Sequence, residues 1–245
     1  MHAPWIATVA RHWRHERCVR NRLAERRPAL RASLRKAAPE SVILAGNSHV
    51  EFLGTPDFGG RPCINLGIGG STAADCAAHL ADLRAPVRCA ASVLIIGTND
   101  ILRWRHPERA STERRFEAEV RRILQILEVW SAQVFVAAIP PIGAWATGRD
   151  PAAAAAFSDR LEALCRAGGH SFFDPFATLR DDESGLARTG LYPDGVHLAD
   201  YTRLAAELVR LVAIGPVVPA PRIRPAAVPA GSLRALHAAA WGVRS

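Results

Sequence analysis

The chain has 245 residues, of which 49% are hydrophobic and 22% charged. This composition excludes a largely disordered protein and suffices for one α/β core with small appendages. The net charge of +8 is concentrated at the start, because residues 1–40 contain ten Lys and Arg against three Glu while the rest of the chain is nearly neutral.

The basic segment, residues 1–40, has the composition of an arginine-rich amphipathic helix. Such a segment binds an anionic membrane or a nucleic acid electrostatically, or it is a solvated helix packed on its domain or a partly disordered extension. We favour the solvated or disordered extension and expect no nucleic-acid partner. Peripheral contact with an anionic membrane stays open as an alternative, and the sequence does not indicate an oligomeric state.

Neither a secretory signal nor a membrane span is evident in the sequence. The basic segment lacks the apolar run of about 7 to 15 residues that a signal needs. Nowhere does the chain contain about 20 apolar residues in succession, the length of a spanning helix. We therefore expect a soluble, cytoplasmic protein.

The cysteine pattern argues against disulfides and against a zinc site. The five cysteines are odd in number and scattered without a CxxC pair, so we expect free thiols: Cys18, Cys63, Cys76, Cys89 and Cys165. Metal-binding HExxH and phosphate-binding GxxxxGK[ST] motifs are also missing from the sequence. We expect neither a metal nor another cofactor.

Five short apolar runs predict strands: residues 41–46, 62–67, 92–97, 133–140 and 170–174. The runs are unbroken rather than alternating, which is typical of parallel strands covered on both faces. Helical patterns occupy residues 72–84, 111–130, 152–167 and 199–213. Together they predict an α/β fold, a three-layer α/β/α sandwich, over residues 41–214. The tail, residues 215–245, begins with five prolines in fifteen residues and reads as a linker or strap.

Polar or glycine-rich turns follow the first three predicted strands. The first strand ends in Gly46-Asn47-Ser48 and then enters a less regular segment, the second is followed by residues 67–70, and the third by Gly97-Thr98-Asn99. In a doubly wound sheet the ligand crevice lies outside the carboxyl ends of the strands. We therefore expect these turns to meet in one crevice.

A carboxylate and an imidazole lie close together near the last predicted helix. Within "YPDGVHLAD", Asp194 precedes His197 by three residues. A carboxylate at that spacing can orient an imidazole that acts as a base. The D-x-x-H pattern alone is weak, but the ordered series of turns gives it a context.

Four blocks of the sequence resemble the SGNH hydrolases, also called the GDSL family. They read "GNSHVEFLG", "NLGIGG", "IIGTNDI" and "YPDGVHL", and the resemblance extends over about residues 41–212. It implies a flavodoxin-like sheet of five parallel strands and an esterase without a cofactor. Block by block it implies a nucleophile, an oxyanion glycine, an oxyanion asparagine and the remaining catalytic pair, here Ser48, Gly70, Asn99, and Asp194 with His197.

These residue types suit the chemistry that the resemblance implies. A serine hydroxyl attacks an ester carbonyl when an imidazole accepts its proton, and a carboxylate stabilises the imidazolium. The tetrahedral oxyanion needs preorganised donors. The resemblance assigns that oxyanion hole to the backbone N–H groups of Ser48 and Gly70 and to the Asn99 amide.

The sequence departs from the family at one position and leaves two minor alternatives. Asn47 stands where the family usually has aspartate, which puts site polarity and pH dependence in question but not the assigned base. His49 is a rival base beside Ser48, and Asp100 is better explained as a helix cap than as a catalyst. Trp145 after the fourth strand is a candidate for a pocket wall.

The sequence therefore predicts serine-dependent hydrolysis of a carboxylic ester, by an esterase or lipase or by a carbohydrate deacetylase. The expected substrate is a small-molecule ester or an acylated sugar. The absence of the G-x-S-x-G motif of α/β-hydrolases favours the SGNH type. Two alternatives remain open, an O-acyltransferase and a catalytically silent binding module recruited through its basic N-terminal segment.

Overall fold

The computed structural model describes residues 4–214, in which five parallel strands form one sheet between two layers of helices. The strands are β1 (Val42–Gly46), β2 (Cys63–Asn65), β3 (Cys89–Ile95), β4 (Ser131–Ala137) and β5 (Ser171–Phe173), in the order β2-β1-β3-β4-β5. The predicted α/β sandwich with a flavodoxin-like parallel sheet is confirmed. The predicted proline-rich tail lies outside the described residues.

Six α-helices flank this sheet within the described part of the chain. They are α1 (Pro4–Arg35), α2 (Ser48–Leu53), α3 (Ala73–Ala81), α4 (Ala110–Trp130), α5 (Pro151–Gly168) and α6 (Thr202–Ile214). Apolar residues of α1, α3, α4 and α5 form one core, and those of α2 and α6 form the other. Alternate residues of β1 face the two cores, because Ile43 belongs to the first and Leu44 to the second. This explains the unbroken hydrophobicity of the run.

The sequence did not predict α2, since the segment after Ser48 was expected to be less regular. Asn47 caps this short helix, and its side-chain oxygen accepts a hydrogen bond from the His49 N–H at 3.0 Å. Asparagine is among the preferred N-cap residues. The buried Val50 and Leu53 then hold the helix on the sheet. Capping and burial thus make a helix of a segment too short to show helical periodicity.

Helix α1 packs along the domain through one face. Val19, Leu30 and Leu34 are buried in the core that α1 shares with α3, α4 and α5, while Trp13 on another face is 60% exposed. Of the two forms expected for the basic segment, residues 4–35 therefore adopt the helix packed on the domain. In the described range of the chain, no helix is both long and apolar enough to cross a membrane.

The crevice lies where the connections after β1 and β3 leave the sheet on opposite faces. Helix α2 follows β1 on one side, and α4 follows β3 on the other. Such a switch point is where ligands bind in doubly wound sheets. Gly46 ends β1 with a φ of +147°, and a Cβ there would lie 1.9 Å from the carbonyl oxygen of Ile95. Only glycine fits the turn that leads to Ser48.

Replacing Gly46 by alanine should therefore destabilise the domain by about 2 kcal/mol or more, because both backbone strain and overlap with β3 oppose the added methyl group. The free energy of unfolding from urea titration measures this effect. Gly148→Ala is the matched control, since nothing lies within 4 Å of a Cβ at that exposed position. Equal stabilities of the two variants would contradict the steric explanation.

Candidate active site

Ser48 is the first residue of α2 and lies at the carboxyl end of β1. Its side chain approaches the last loop of the domain, where Ser48 Oγ and His197 Nε2 are 2.8 Å apart. The residue is only 6% exposed. The sheet and the loop before α6 thus bring together two groups that are far apart in the sequence.

The loop before α6 is wound around the carboxylate of Asp194. One oxygen, Oδ1, accepts the backbone N–H groups of Val196 at 2.9 Å and His197 at 2.7 Å. The other, Oδ2, lies 2.6 Å from His197 Nδ1. Partial burial raises the pKa of Asp194, but these hydrogen bonds from His197 and Val196 outweigh it and lower the pKa to about 2. The carboxylate is therefore ionised at neutral pH.

An ionised Asp194 fixes the tautomer of the imidazole. A carboxylate only accepts hydrogen bonds, so the neutral His197 ring carries its proton on Nδ1 and leaves Nε2 as an acceptor. The Ser48 hydroxyl then donates to Nε2 across the 2.8 Å contact. Three of the sequence-predicted site residues therefore form one chain of hydrogen bonds with the polarity that proton removal from Ser48 requires.

The turn that contains Gly70 lies beside these hydrogen-bonded residues. The Ile68 N–H donates to the carbonyl of Gly46 at 3.0 Å, and this bond ties the turn to the end of β1. The Gly70 N–H has no acceptor among the described residues. The Ser48 N–H belongs to the first turn of α2, where backbone amides have no acceptor within the helix. Two backbone donors are therefore available at the carboxyl end of β1.

Asn99 adds a side-chain donor to the same region. Its Nδ2 donates to the carbonyl of Ser71, the residue after Gly70, at 3.1 Å. This bond uses one of the two amide hydrogens. Asn99 is 4% exposed, so its side chain is held within the protein. All five sequence-predicted site residues thus lie around the same crevice.

Arg149 is a site residue that the sequence analysis missed. Its Nη2 donates to Asn99 Oδ1 at 3.0 Å, and its Nε donates to the carbonyl of Thr98 at 2.9 Å. Burial lowers the pKa of Arg149. Since the guanidinium binds the amide oxygen of Asn99, the NH₂ group is the end that faces the carbonyl of Ser71. The one signal in the sequence that could have indicated Arg149 was the loop after β4, in which the sequence analysis named only Trp145.

The ring of His49, the rival base, lies beside that of His197, with the two ring centroids 5.5 Å apart. It is fully buried, and its Nδ1 is 3.1 Å from the hydroxyl of Tyr201. Burial, followed by the nearby His197 and Arg149, lowers the pKa of His49 to about 3. Its ring is therefore neutral at ordinary pH, and no hydrogen bond joins it to Ser48 within the described residues.

Asn47 and Asp100 have structural partners. Asn47 Oδ1 accepts the His49 N–H, a bond that an aspartate would also form, while Nδ2 has no partner among the described residues. Asp100 accepts the N–H of Ala73, the first residue of α3, at 3.1 Å, whereas Thr72 is the N-cap of that helix. Desolvation raises the pKa of Asp100 to about 7, and the bond from Ala73 opposes this rise.

Two partly exposed aromatic side chains lie near the loop of His197, Phe52 against its ring and Trp145 against Gly195. The ring centroid of Phe52 is 5.1 Å from that of His197, and Phe52 is 49% exposed. Trp145 is 46% exposed and packs against Gly195, where a Cβ would come within 3.1 Å of its Nε1. Trp145 therefore lies beside the loop that carries Asp194 and His197, and its place in a pocket wall stays a prediction. In the part of the chain that the structure describes, no three His, Cys, Asp or Glu side chains cluster as a metal site.

Solved structures share this fold at low sequence identity. A GDSL-like lipase from Bacteroides thetaiotaomicron is 19% identical with a TM-score of 0.65, covering 78% of this chain and 97% of its own. A carbohydrate acetylesterase from Sinorhizobium meliloti is 19% identical with a TM-score of 0.53, covering 71% and 99%. An acetylxylan esterase from Geobacillus stearothermophilus is 16% identical with a TM-score of 0.53, covering 74% and 96%.

Comparison with family profiles identifies the family directly, although no curated protein matches the chain. The profile of the GDSL-like Lipase/Acylhydrolase family matches residues 55–201. This span contains Gly70, Asn99, Asp194 and His197 and begins after Ser48. Family profile and fold together show that the chain belongs to the GDSL-like lipase/acylhydrolase family and is an ester hydrolase of the SGNH type.

Proposed function

We propose that this enzyme hydrolyses a carboxylic ester through an acyl-enzyme intermediate on Ser48. One observation carries the proposal: Ser48 Oγ lies 2.8 Å from His197 Nε2, and the opposite nitrogen of that ring lies 2.6 Å from Asp194. These distances are within the range expected between a nucleophile, its base and the group that orients the base.

In the first half of the reaction, Ser48 Oγ attacks the ester carbonyl carbon while its proton passes to His197 Nε2. The ionised Asp194 stabilises the imidazolium that results. The tetrahedral intermediate then collapses, the carbon–oxygen bond to the alcohol breaks, and the alcohol leaves with the proton from Nε2. The acyl group remains on Ser48.

The negative charge of the tetrahedral oxygen is stabilised by three donors, the N–H groups of Ser48 and Gly70 and the side-chain amide of Asn99. Preorganised donors of this kind contribute roughly 3 to 4 kcal/mol each to transition-state stabilisation. The bonds that Asn99 makes to Ser71 and Arg149 support its role, because they fix the amide before substrate binds.

In the second half, a water molecule attacks the acyl carbonyl while His197 Nε2 accepts its proton. The same three donors stabilise the second oxyanion. Collapse breaks the bond to Ser48 Oγ, which recovers the proton from the imidazolium, and the carboxylic acid is released. Every proton transfer uses one nitrogen atom, so no metal ion or cofactor is needed for the cycle.

The proposed substrate is an ester with a small acyl group, with an acetylated carbohydrate as the narrower candidate. Its support is the position of Phe52, whose half-exposed ring lies 5.1 Å from that of His197 and borders the site without closing it. Two of the structural neighbours are named a carbohydrate acetylesterase and an acetylxylan esterase. The acetylated carbohydrate is thus a narrower proposal than the small-molecule ester expected from the sequence.

The alternatives have less support. An O-acyltransferase needs an acceptor pocket at the acyl group, but a cleft of about 590 Å³ among the described residues is lined by neither Ser48 nor His197. A catalytically silent binding module does not require the hydrogen-bonded Ser48, His197 and Asp194. The cytoplasmic location expected from the sequence stays a prediction.

Ser48→Ala and His197→Ala should each lower kcat for p-nitrophenyl acetate by about 10⁴-fold or more, because nucleophile and base act as a unit. Asp194→Asn should reduce kcat by about 10⁴-fold, because it destabilises the required tautomer. Initial rates of the purified variants and of the wild type measure these effects. Activity that survives in Ser48→Ala would contradict the proposed nucleophile.

Asn99→Ala should lower kcat by about 10²- to 10³-fold with little change in KM, because the oxyanion forms only during the reaction. Arg149→Met should lower kcat by about tenfold, because it releases the amide of Asn99. Arg103→Met, which removes a more exposed guanidinium from a pair with Asp150, is the control with unchanged kinetics. Loss of kcat in the control alone would contradict these assignments.

The sequence analysis also left open a peripheral contact with an anionic membrane. Helix α1 supports this contact, because the exposed Trp13 lies beside Arg14, Arg17 and Arg20 in one shallow groove. Tryptophan and arginine side by side suit the headgroup region of an anionic bilayer. We propose this groove as the contact.

Sedimentation with vesicles of phosphatidylcholine and phosphatidylglycerol should then capture the protein at low salt and release it at high salt. Charge reversal at Arg14 and Arg17 should abolish capture. The same change at Arg121 and Arg122, on the outer side of α4, is the control and should leave capture unchanged. Equal capture by vesicles of pure phosphatidylcholine would contradict the electrostatic contact.

A further inference from the structure

The buried carboxylate of Glu51 lies between α1 and the catalytic residues. Its side chain is 7% exposed, and the guanidinium of Arg22 holds both of its oxygens, with Nη2 to Oε1 at 2.7 Å and Nε to Oε2 at 2.9 Å. Arg26 donates a further hydrogen bond to Oε1 at 3.1 Å. Two arginines of α1 thus converge on one residue of α2, three positions after Ser48.

The same carboxylate holds the turn that provides the oxyanion glycine. Glu51 Oε2 accepts the Gly69 N–H at 2.6 Å, so one side chain connects α1, the helix of Ser48 and the residue before Gly70. Burial raises the pKa of Glu51, but the bonds from Arg22 and Gly69 prevail and lower it. The carboxylate therefore stays ionised and keeps its hydrogen bond to the turn.

The turn needs such a restraint because of its sequence. Gly69 and Gly70 are consecutive glycines, and glycine has the greatest backbone freedom of all residues. Gly70 has a φ of +82°, and Val19 of α1 covers its Cα, since a Cβ would lie 3.3 Å from the Val19 Cγ2 atom. Helix α1 thus holds one glycine by charge and the next by packing.

We propose that α1 is part of the catalytic unit, in which Arg22 and Arg26 are positioning residues that act through Glu51 to hold the Gly69–Gly70 turn. This inference rests on the proposed function, because the Gly70 N–H matters only where an oxyanion forms. An oxyanion hole stabilises the transition state to the extent that its donors are fixed beforehand. The bonds of Arg22 and Arg26 to Glu51, here called the clamp on Glu51, supply that rigidity. They come from α1, which the sequence presents as an appendage of the domain.

The test measures the turn and the reaction separately in the full-length protein. Hydrogen exchange by mass spectrometry follows the amides of residues 66–71, and p-nitrophenyl acetate gives kcat and KM. The variants are Arg22→Met, which removes the charge, and Arg22→Lys, which keeps the charge but loses the two-pronged bond. Arg27→Met is the matched control, because it breaks another ion pair of α1, with Asp82, away from Ser48.

The expected result is faster exchange of residues 66–71 in Arg22→Met, with kcat lowered roughly ten- to a hundredfold and KM unchanged. Arg22→Lys should recover part of both losses, and it replaces Arg22→Met in the comparison if that variant does not fold. Arg27→Met should match the wild type in both measurements.

The inference would be overturned by unchanged exchange of residues 66–71 in the Arg22 variants, or by faster exchange with wild-type kcat. An equal loss of kcat in Arg27→Met would also overturn it, because α1 would then act only through general stability. A wild type without esterase activity would instead refute the proposed function, while the exchange measurement still decides whether Arg22 holds the turn.

Discussion

The contact between Ser48 Oγ and His197 Nε2 joins the start and the end of the domain, and the surrounding structure serves to keep it at 2.8 Å. Ser48 is held because β1 is buried on both faces and Gly46 allows the chain to turn directly into α2. His197 is held because its loop wraps around Asp194. Proton transfer over such a distance tolerates little misplacement, so these constraints bear directly on the chemistry.

The buried polar residues around this contact divide between reaction and support. Asn99 is a proposed oxyanion donor, whereas Arg149 fixes its orientation and Asp100 binds the first backbone amide of α3. His49 is kept neutral by burial next to the imidazole of His197. A neutral ring in that position adds no positive charge to oppose the imidazolium that the proposed mechanism forms at His197. The site thus tolerates a second histidine where a charged residue would disfavour proton transfer.

The sequence predicted the strands well because they are encoded locally, whereas the roles of the candidate site residues stay predictions. Unbroken apolar runs mark buried parallel strands, and the polar turns follow those strands directly. Arg149 and the clamp on Glu51 were not predictable, because each depends on contacts between segments distant in the sequence. The role of α1 was missed for the same reason, since an arginine that binds a buried carboxylate looks identical in sequence to one in solvent. Helix α2 escaped prediction because Asn47 caps a helix shorter than two helical periods.

The identity of the nucleophile is the central claim, and covalent labelling tests it most directly. The wild-type protein is treated with a fluorophosphonate, and the modified peptide is located by mass spectrometry. A single adduct on Ser48, lost in His197→Ala because the hydroxyl is no longer activated, is the predicted result. An adduct on another residue, or none while ester hydrolysis continues, would contradict a mechanism based on Ser48.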